Sequence, residues 1–184
     1  YNINSKQVTF NMFGDVHQHI DGTKGIDSWS EYKDIIKFDM YEMQENYRNA
    51  SQITNFCNKE FEMEMLAINT PGKGVHEIAS DEEFFNEMIS QLLDTQRTGL
   101  AAILVANDME ARYLLNRFGA YADNFQDMTI EESSLHRTRW NIINIDDAKG
   151  LEFSTIFVLS GRMSKNEKYI AYTRALDELF VYSD

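Results

Sequence analysis

Two hydrophobic periods alternate along the chain, and together they predict strands separated by helices. The apolar run LAAILVA at 100–106 is of the kind found in parallel strands that are buried on both faces. WNIINI at 140–145 and STIFVL at 154–159 are also predicted to be strands. Less regular strands are predicted at 8–14, at 38–40, within 121–139 and at 179–183.

Four predicted helices begin at capping boxes, in which a short polar residue is followed three positions later by Glu or Gln. The pairs are Asn49 with Gln52, Ser80 with Glu83, Asn107 with Glu110, and Ser164 with Glu167. The first helix keeps its apolar period to Phe61, and the others are predicted to end near Arg97, Gly119 and Glu178. Strands that alternate with such helices predict an α/β fold with a doubly wound, mostly parallel sheet and helices on both faces.

The composition excludes several classes of protein. An apolar content of 43% is typical of a globular chain. The sequence contains no run of about 18 apolar residues, which is the length needed to span a membrane. The net charge of −13 predicts a poor autonomous binder of nucleic acid, because such binding depends on cations that neutralise phosphates. The sequence has a single cysteine, Cys57, which excludes an internal disulfide and favours a cytoplasmic location. Cys57 lies on the apolar side of a predicted helix, where we expect it to pack in the core. The opening residues YNINSKQVTF, with neither an initiator Met nor a signal-peptide pattern, suggest a piece of a longer protein.

Polar residues that suit nucleotide binding lie near the ends of predicted strands, where ligands bind in doubly wound sheets. The stretches are GDVHQ at 14–18, NYR at 46–48, AKGLEF at 148–153 and YIAYTRA at 169–175. Arginine makes planar, bidentate contacts with phosphate, and tyrosine can stack on a flat ring. These stretches therefore indicate a site for an anionic ligand that carries a base.

The same stretches, in this order, resemble the C-terminal half of superfamily 1, UvrD-like helicases. GDVHQHI is similar to motif III of that family, QENYRNASQI to motif IV, DDAKGLEFSTIFV to motif V and EKYIAYTRALDELFV to motif VI. The resemblance covers nearly the whole chain. The short distance between NYR and AKGLEF, together with IDSWSEY after motif III, looks more like the HelD-like branch, which acts with RNA polymerase.

The resemblance implies a RecA-like fold and an ATP site. In that site Gln18 would sense the γ-phosphate, Tyr47 would stack on the adenine, and Arg48 would reach the γ-phosphate. Glu152 would contact the nucleotide at its ribose, and Arg174 would be the arginine finger. The implied catalytic residues are Gln18, Arg48 and Arg174, and the implied nucleotide contacts are Tyr47, Arg48, Gly150, Glu152 and Arg174. The implied cofactors are ATP and Mg²⁺, and the implied partner is DNA, along which the parent protein would translocate.

Each of these residues, taken alone, has a plainer interpretation. Arg174 would form a helical ion pair with Asp177 or Glu178. Tyr47 would belong to the core, and Glu152 would be a solvated loop acid. Their joint occurrence, in the order of the family, favours the functional set.

Two departures from the family pattern fall on the side that would face DNA. Ile20 is followed by Asp-Gly-Thr, where the family usually has an aromatic residue and an arginine. Before AKGLEF the chain has Asn144, Asp146 and Asp147, where the family often has Thr and His, and acids there repel phosphates. These departures support an alternative, a degenerate helicase-like module that mainly binds RNA polymerase or another protein. A subunit of a nuclease-linked helicase is a third interpretation.

The sequence contains no phosphate-binding loop of its own. PGKG at 71–74 lacks the spacing and the Ser or Thr of a Walker A loop, and the acids at 81–82 follow a capping serine, unlike Walker B. No metal site is predicted, since His17 and His19 lack a third ligand at zinc spacing. The resemblance places the phosphate cradle and the Mg²⁺-binding acid in an upstream RecA-like domain, so the chain alone is expected to be inactive. Residues 1–33 would end that first domain, and residues 34–184 would form the second.

Overall fold

The computed structural model describes residues 11–20, 25–26, 28–33 and 35–183, which contain two parallel sheets. The strands are β1 Glu45–Asn46, β2 Leu66–Ala67, β3 Gly74–Ile78, β4 Ala101–Val105, β5 Phe125–Asp127, β6 Trp140–Asn144, β7 Phe153–Leu159 and β8 Ala175–Tyr182. Six of them form one sheet in the order β3-β8-β7-β4-β6-β5, and every described pairing in it is parallel. Strands β1 and β2 pair with each other in a small parallel sheet.

Helices cover both faces of the six-stranded sheet. They are α1 Ser51–Phe61, α2 Asp81–Leu93, α3 Asp108–Arg117 and α4 Lys165–Tyr172. Side chains of α1 and α4 pack in one hydrophobic core, and those of α2 and α3 pack in the other. This arrangement confirms the predicted doubly wound α/β class and is the architecture of a RecA-like domain.

The central strands are apolar at consecutive positions because they contribute to both cores. In β7, Ile156 and Val158 face the core of α1 and α4, whereas Phe157 and Leu159 face the core of α2 and α3. Burial on both faces explains why this strand, like β4, was recognisable from sequence as a continuous apolar run. Cys57 is buried in the first core, where burial raises the pKa of its thiol to about 12, in agreement with a packing role.

The end of the chain differs from the sequence prediction. The last helix ends at Tyr172 rather than near Glu178, and β8 begins at Ala175 rather than at residue 179. Pairing explains the difference, since β8 is hydrogen-bonded to β7 on one side and to β3 on the other. Strand pairing from both sides outweighs the helical period of the local sequence.

Two other strand predictions need correction, and strand β3 was missed. No strand forms at 38–40. The strand that precedes the NYR stretch is instead β1, at Glu45–Asn46. Strand β3 was not predicted, because its sequence GVHEI is polar at its centre and its pairing with β8 is non-local. Of the strand predicted at 8–14, residues 8–10 lie outside the described residues, and residues 11–14 are not in a strand.

The turn that enters β4 yields a prediction about stability. Gly99 has a φ of +79°, and a Cβ added there would overlap the side chain of Ser154. We expect Gly99→Ala to lower the free energy of unfolding by about 1–3 kcal/mol, because it adds both backbone strain and a clash. Gly119→Ala is the control, since a Cβ there meets no atom within 4 Å and should change stability by less than about 0.5 kcal/mol. Urea denaturation followed by circular dichroism measures both, and equal stability of the two variants would contradict this account.

Candidate functional site

A tight turn before β7 fixes the position of Glu152. Lys149 has φ −60° and ψ 128°, Gly150 has φ +81°, and the Leu151 N–H donates to the Ala148 carbonyl at 3.1 Å. These angles define a type II turn, whose third position requires a positive φ and therefore favours glycine. The Lys-Gly pair thus turns the chain so that Glu152 stands directly at the start of β7.

The start of β8 lies beside the start of β7, and this brings Arg174 close to Glu152. The Phe153 N–H donates to the Arg174 carbonyl at 3.0 Å, so the residues that precede the two strands are neighbours. Both residues therefore stand at the amino ends of strands. Glu152 comes after the turn and Arg174 comes after α4, whereas Arg48 follows the carboxyl end of β1.

The Arg174 side chain is enclosed, with only 3% of its surface exposed. Its Nε donates to the Ile170 carbonyl at 3.2 Å, and its terminal nitrogens approach the Leu151 carbonyl at 3.5 Å and the Thr173 hydroxyl at 3.4 Å. The last two distances are at or beyond the long end of the usual range for hydrogen bonds. The guanidinium group is therefore buried but weakly held at its tip.

A buried asparagine ties the loop after β1 to this region. The Asn49 side-chain amide donates to the carbonyls of Thr173, at 3.0 Å, and Ala175, at 2.6 Å. These two carbonyls flank Arg174 in the chain. Asn49 thereby fixes the position of its own neighbour, Arg48, relative to Arg174.

The role of Asn49 corrects the predicted capping box. Helix α1 begins at Ser51, its N-cap is Ala50, and no side chain caps it. Gln52 instead bonds the backbone of Gly72, donating to its carbonyl at 3.1 Å and accepting from its N–H at 2.9 Å. Both side chains of the expected box are used in long-range contacts, which a local pattern does not reveal.

Arg48 and Glu152 form an ion pair at the mouth of this cluster. Arg48 Nε lies 2.6 Å from Glu152 Oε1, and the two side chains are 46% and 42% exposed. The Arg48 backbone N–H donates to the Asn46 side chain at 3.0 Å, which holds the loop in place. A pair this exposed contributes little to stability, about 0–1 kcal/mol, so an anionic ligand could compete for Arg48 at small cost.

Opposing charges surround Arg174. Burial lowers the pKa of Arg174, and the nearby positive charge of Arg48 lowers it further, whereas Glu152, Tyr169 and Asp15 act in the opposite direction. Arg48 is directly paired with Glu152, whereas Arg174 bonds carbonyl and hydroxyl oxygens. An anion that reached this cluster would be attracted by both guanidinium groups.

Tyr47 lies next to this pair and faces solvent. Its side chain is 70% exposed, so the interpretation of Tyr47 as a core residue is wrong. Among the described residues no ring packs against it. The structure therefore leaves one face of a tyrosine ring free beside Arg48.

Gln18 belongs to a segment that docks on α4. It ends the short 3₁₀ helix Val16–Gln18, and its amide donates to Asp15 Oδ2 at 3.1 Å. The Tyr169 hydroxyl of α4 donates to the same carboxylate oxygen at 3.1 Å. Burial and the adjacent Asp15 raise the pKa of Tyr169, which keeps this donor protonated. Gln18 is thus linked to the cluster through Asp15 and α4 rather than by direct contact.

The helical ion pair proposed for Arg174 does not form. Arg174 precedes a strand, and Glu178 of that strand directs its carboxylate to Lys73 Nζ, at 3.3 Å, and to the Thr155 hydroxyl, at 3.4 Å.

The structure therefore groups Arg48, Glu152 and Arg174, with Gly150 two residues before Glu152. Sequence reasoning missed the roles of Asn49, Asp15 and Tyr169, although all three lie within the motif stretches already singled out.

The carboxyl ends of β4 and β6 form a different surface. A cavity of about 450 Å³ there is lined by polar and acidic residues, including Asn107, Asp108, Asn144, Asp146 and Asp147. Among the described residues, no group of three His, Cys, Asp or Glu side chains is placed to hold a metal ion. No described helix is long and apolar enough to cross a bilayer.

Comparisons with known proteins bear on the fold. Neither models of protein families nor curated proteins match the sequence. The structure is similar to the C-terminal domain of a possible DNA helicase from Lactobacillus plantarum WCFS1, with a TM-score of 0.56 and 21% identity over 75% of this chain and 87% of that chain. Two weaker similarities each have a TM-score of 0.39. One is to the PRRSV helicase nsp10, at 15% identity over 75% of this chain and 23% of that chain. The other is to the arterivirus helicase nonstructural protein 10, at 13% identity over 76% of this chain and 24% of that chain. The first similarity shows that this chain shares the fold of that domain.

Proposed function

We propose that the chain is the second RecA-like domain of an ATP-dependent, UvrD-like DNA helicase or translocase, of the HelD-like branch. The observation that carries the proposal is the convergence of Arg48, Glu152 and Arg174, which come from three separate motif stretches. An ion pair alone would not require a second arginine to be held nearby by a buried asparagine.

In this proposal the domain contributes cations to an ATP site that it shares with an upstream domain. That domain would supply the phosphate-binding loop and the acid that holds Mg²⁺, which neutralises charge on the phosphates. Arg48 would leave Glu152 to bind the γ-phosphate, and the freed carboxylate would accept hydrogen bonds from the ribose. Tyr47, exposed beside Arg48, would stack on the adenine.

Arg174 would stabilise the charge that develops during phosphoryl transfer. Its loosely held guanidinium tip can exchange its contacts with the Leu151 carbonyl and the Thr173 hydroxyl for a phosphate oxygen with little loss. Gln18 would contact the γ-phosphate, and its hydrogen bond to Asp15, which also accepts from Tyr169, would couple this contact to the position of α4. Closure and reopening of the cleft would then move DNA held by the whole protein.

A second candidate function is protein binding by a degenerate helicase-like module, with RNA polymerase as a candidate partner. The acidic cavity at the carboxyl ends of β4 and β6 favours it, because Asp108, Asp146 and Asp147 would repel a DNA backbone. In that case Arg48 and Arg174 would remain close together but would not contribute to catalysis. Activity measurements on the arginines distinguish the two functions.

Replacement of Arg174 in the parent protein should nearly abolish ATP hydrolysis. Arg174→Lys should lower turnover by a factor of about 10³ to 10⁵, the range for a lost arginine finger, because a point charge cannot replace the planar fork. Arg174→Ala should do the same and also cost about 1–3 kcal/mol of stability, since the side chain is buried. Steady-state ATPase assays beside thermal melts measure both effects.

The exposed Arg112 on α3 provides the matched control, and Arg112→Ala should keep full turnover. Normal turnover in Arg174→Lys would return Arg174 to a structural role and favour the protein-binding module.

Asn49 should act as a positioning residue for Arg48. Asn49→Ala removes the donor to the carbonyls of Thr173 and Ala175, so the KM for ATP should rise while stability falls by about 1–3 kcal/mol. Ile142→Val, in the opposite core, costs about 0.5–1.5 kcal/mol and controls for destabilisation alone. An identical KM in the two variants would show that Asn49 only supports the fold.

The chain on its own should bind neither ATP tightly nor single-stranded DNA. It holds one side of the proposed ATP site, and its net charge of −13 opposes phosphate backbones. Calorimetry with ATP and gel-shift assays with an oligonucleotide at physiological salt test this. Micromolar ATP affinity would refute the assignment as a second domain, and a clear gel shift would refute the electrostatic argument.

A further inference from the structure

The small sheet of β1 and β2 presents apolar side chains to solvent. Met43, two residues before Glu45, is 85% exposed, and Leu66 on β2 is 51% exposed. Ile68, directly after β2, is also exposed. Exposed apolar side chains that are adjacent in space, rather than scattered singly, mark interaction sites on soluble proteins.

These side chains share one face of the small sheet. Glu45 pairs with Leu66 in register, so the two residues point to the same side, and positions two residues away follow them. The opposite face is turned inward, where Asn46 contacts Met65, which packs against the core. We call the exposed side, formed by Met43, Glu45, Leu66 and Ile68, the outer face.

No described strand covers the edge of β1 next to this face. The Leu66 N–H donates to the Gln44 carbonyl at 2.8 Å, so the backbone groups of Gln44 face β2 and those of Met43 and Glu45 face away. No other strand in the described part of the chain pairs with that edge. The far edge of β2 is blocked, because the Asn58 side chain bonds both the N–H and the carbonyl of Met65. An incoming strand therefore has one edge available.

The charge around the outer face selects the partner. The two segments at 39–47 and 60–68 contain six acids and no lysine or arginine. The acids are Asp39, Glu42, Glu45, Glu60, Glu62 and Glu64. Such a surface repels nucleic acid and repels a second copy of itself, whereas it attracts a basic polypeptide.

We propose that the outer face and the open edge of β1 bind an extended, basic segment of a partner protein, which adds as a strand to the small sheet. Main-chain hydrogen bonds to Met43 and Glu45 would provide the register, and apolar side chains of the segment would cover Met43 and Leu66. Lysine or arginine side chains of the segment would lie against Glu45 and its acidic neighbours. None of the four residues that define the outer face belongs to the arginine cluster.

A designed peptide tests the proposal on the chain as it stands. The probe is a fluorescent peptide of about eight residues in which lysine and valine alternate, the length of an ordinary strand. Fluorescence anisotropy should show saturable binding by the wild-type chain. Leu66→Lys should weaken binding about tenfold, since it removes apolar contact and adds repulsion.

Two controls make the result specific. Leu93→Lys, which changes an equally exposed leucine at the end of α2, should leave binding unchanged. The same peptide with methylated backbone nitrogens should bind at least about tenfold more weakly, because it cannot add as a strand. If Leu66→Lys fails to fold, Met43→Lys replaces it, since that side chain is almost fully exposed.

Several outcomes would overturn the proposal. They are the absence of peptide binding by the wild-type chain, equal binding of the methylated peptide, and equal affinity of Leu66→Lys and wild type. Dimerisation of the chain in sedimentation experiments that Leu66→Lys abolishes would assign the face to a second copy and also overturn it.

Discussion

The amide of Asn49 is the contact on which the candidate site depends. It bonds the carbonyls on either side of Arg174, and through them it attaches the loop that carries Tyr47 and Arg48 to the start of β8. The start of β8 is in turn paired with the start of β7, which follows Glu152. Residues that are more than 100 positions apart in sequence therefore meet because two strands begin side by side and one buried side chain joins a third segment to them.

The electrostatics of the chain reinforce this assignment of roles. A protein of net charge −13 holds two arginines near each other, and burial and the charge of Arg48 both oppose the charge of Arg174. Glu152 offsets part of this cost, and a bound anion would offset more. The opposite edge of the sheet carries the reverse pattern, with Asp108, Asp146 and Asp147 around an open cavity. The proposed phosphate site and the acidic cavity thus lie at different edges of one sheet.

What the sequence predicted correctly was determined by local patterns. The buried strands β4, β6 and β7 were visible as apolar runs, and the starts of α2, α3 and α4 were marked by side-chain caps that the structure contains. The Lys-Gly turn before Glu152 is likewise local, because its geometry is determined by Gly150 itself.

What the sequence could not predict depends on partners distant in the chain. The helix predicted to reach Glu178 ends at Tyr172 because β8 is paired on both sides, and the short polar β3 exists only as an edge of that pairing. Asn49 matched a capping pattern yet bonds a different part of the fold. The motif stretches contain Arg48, Glu152 and Arg174, but only the fold shows that Glu152 and Arg174 meet at the amino ends of β7 and β8.

Nuclear magnetic resonance of the arginine side chains would test the central claim most directly. The parent protein, labelled with ¹⁵N in arginine, would be titrated with ADP and aluminium fluoride, which imitates the transferred phosphate. The account predicts that the Nε–H signals of both Arg48 and Arg174 shift together and that the Arg48 signal loses the signature of its bond to Glu152. A nucleotide complex that leaves both signals unchanged would contradict the claim that these arginines form one phosphate-binding site.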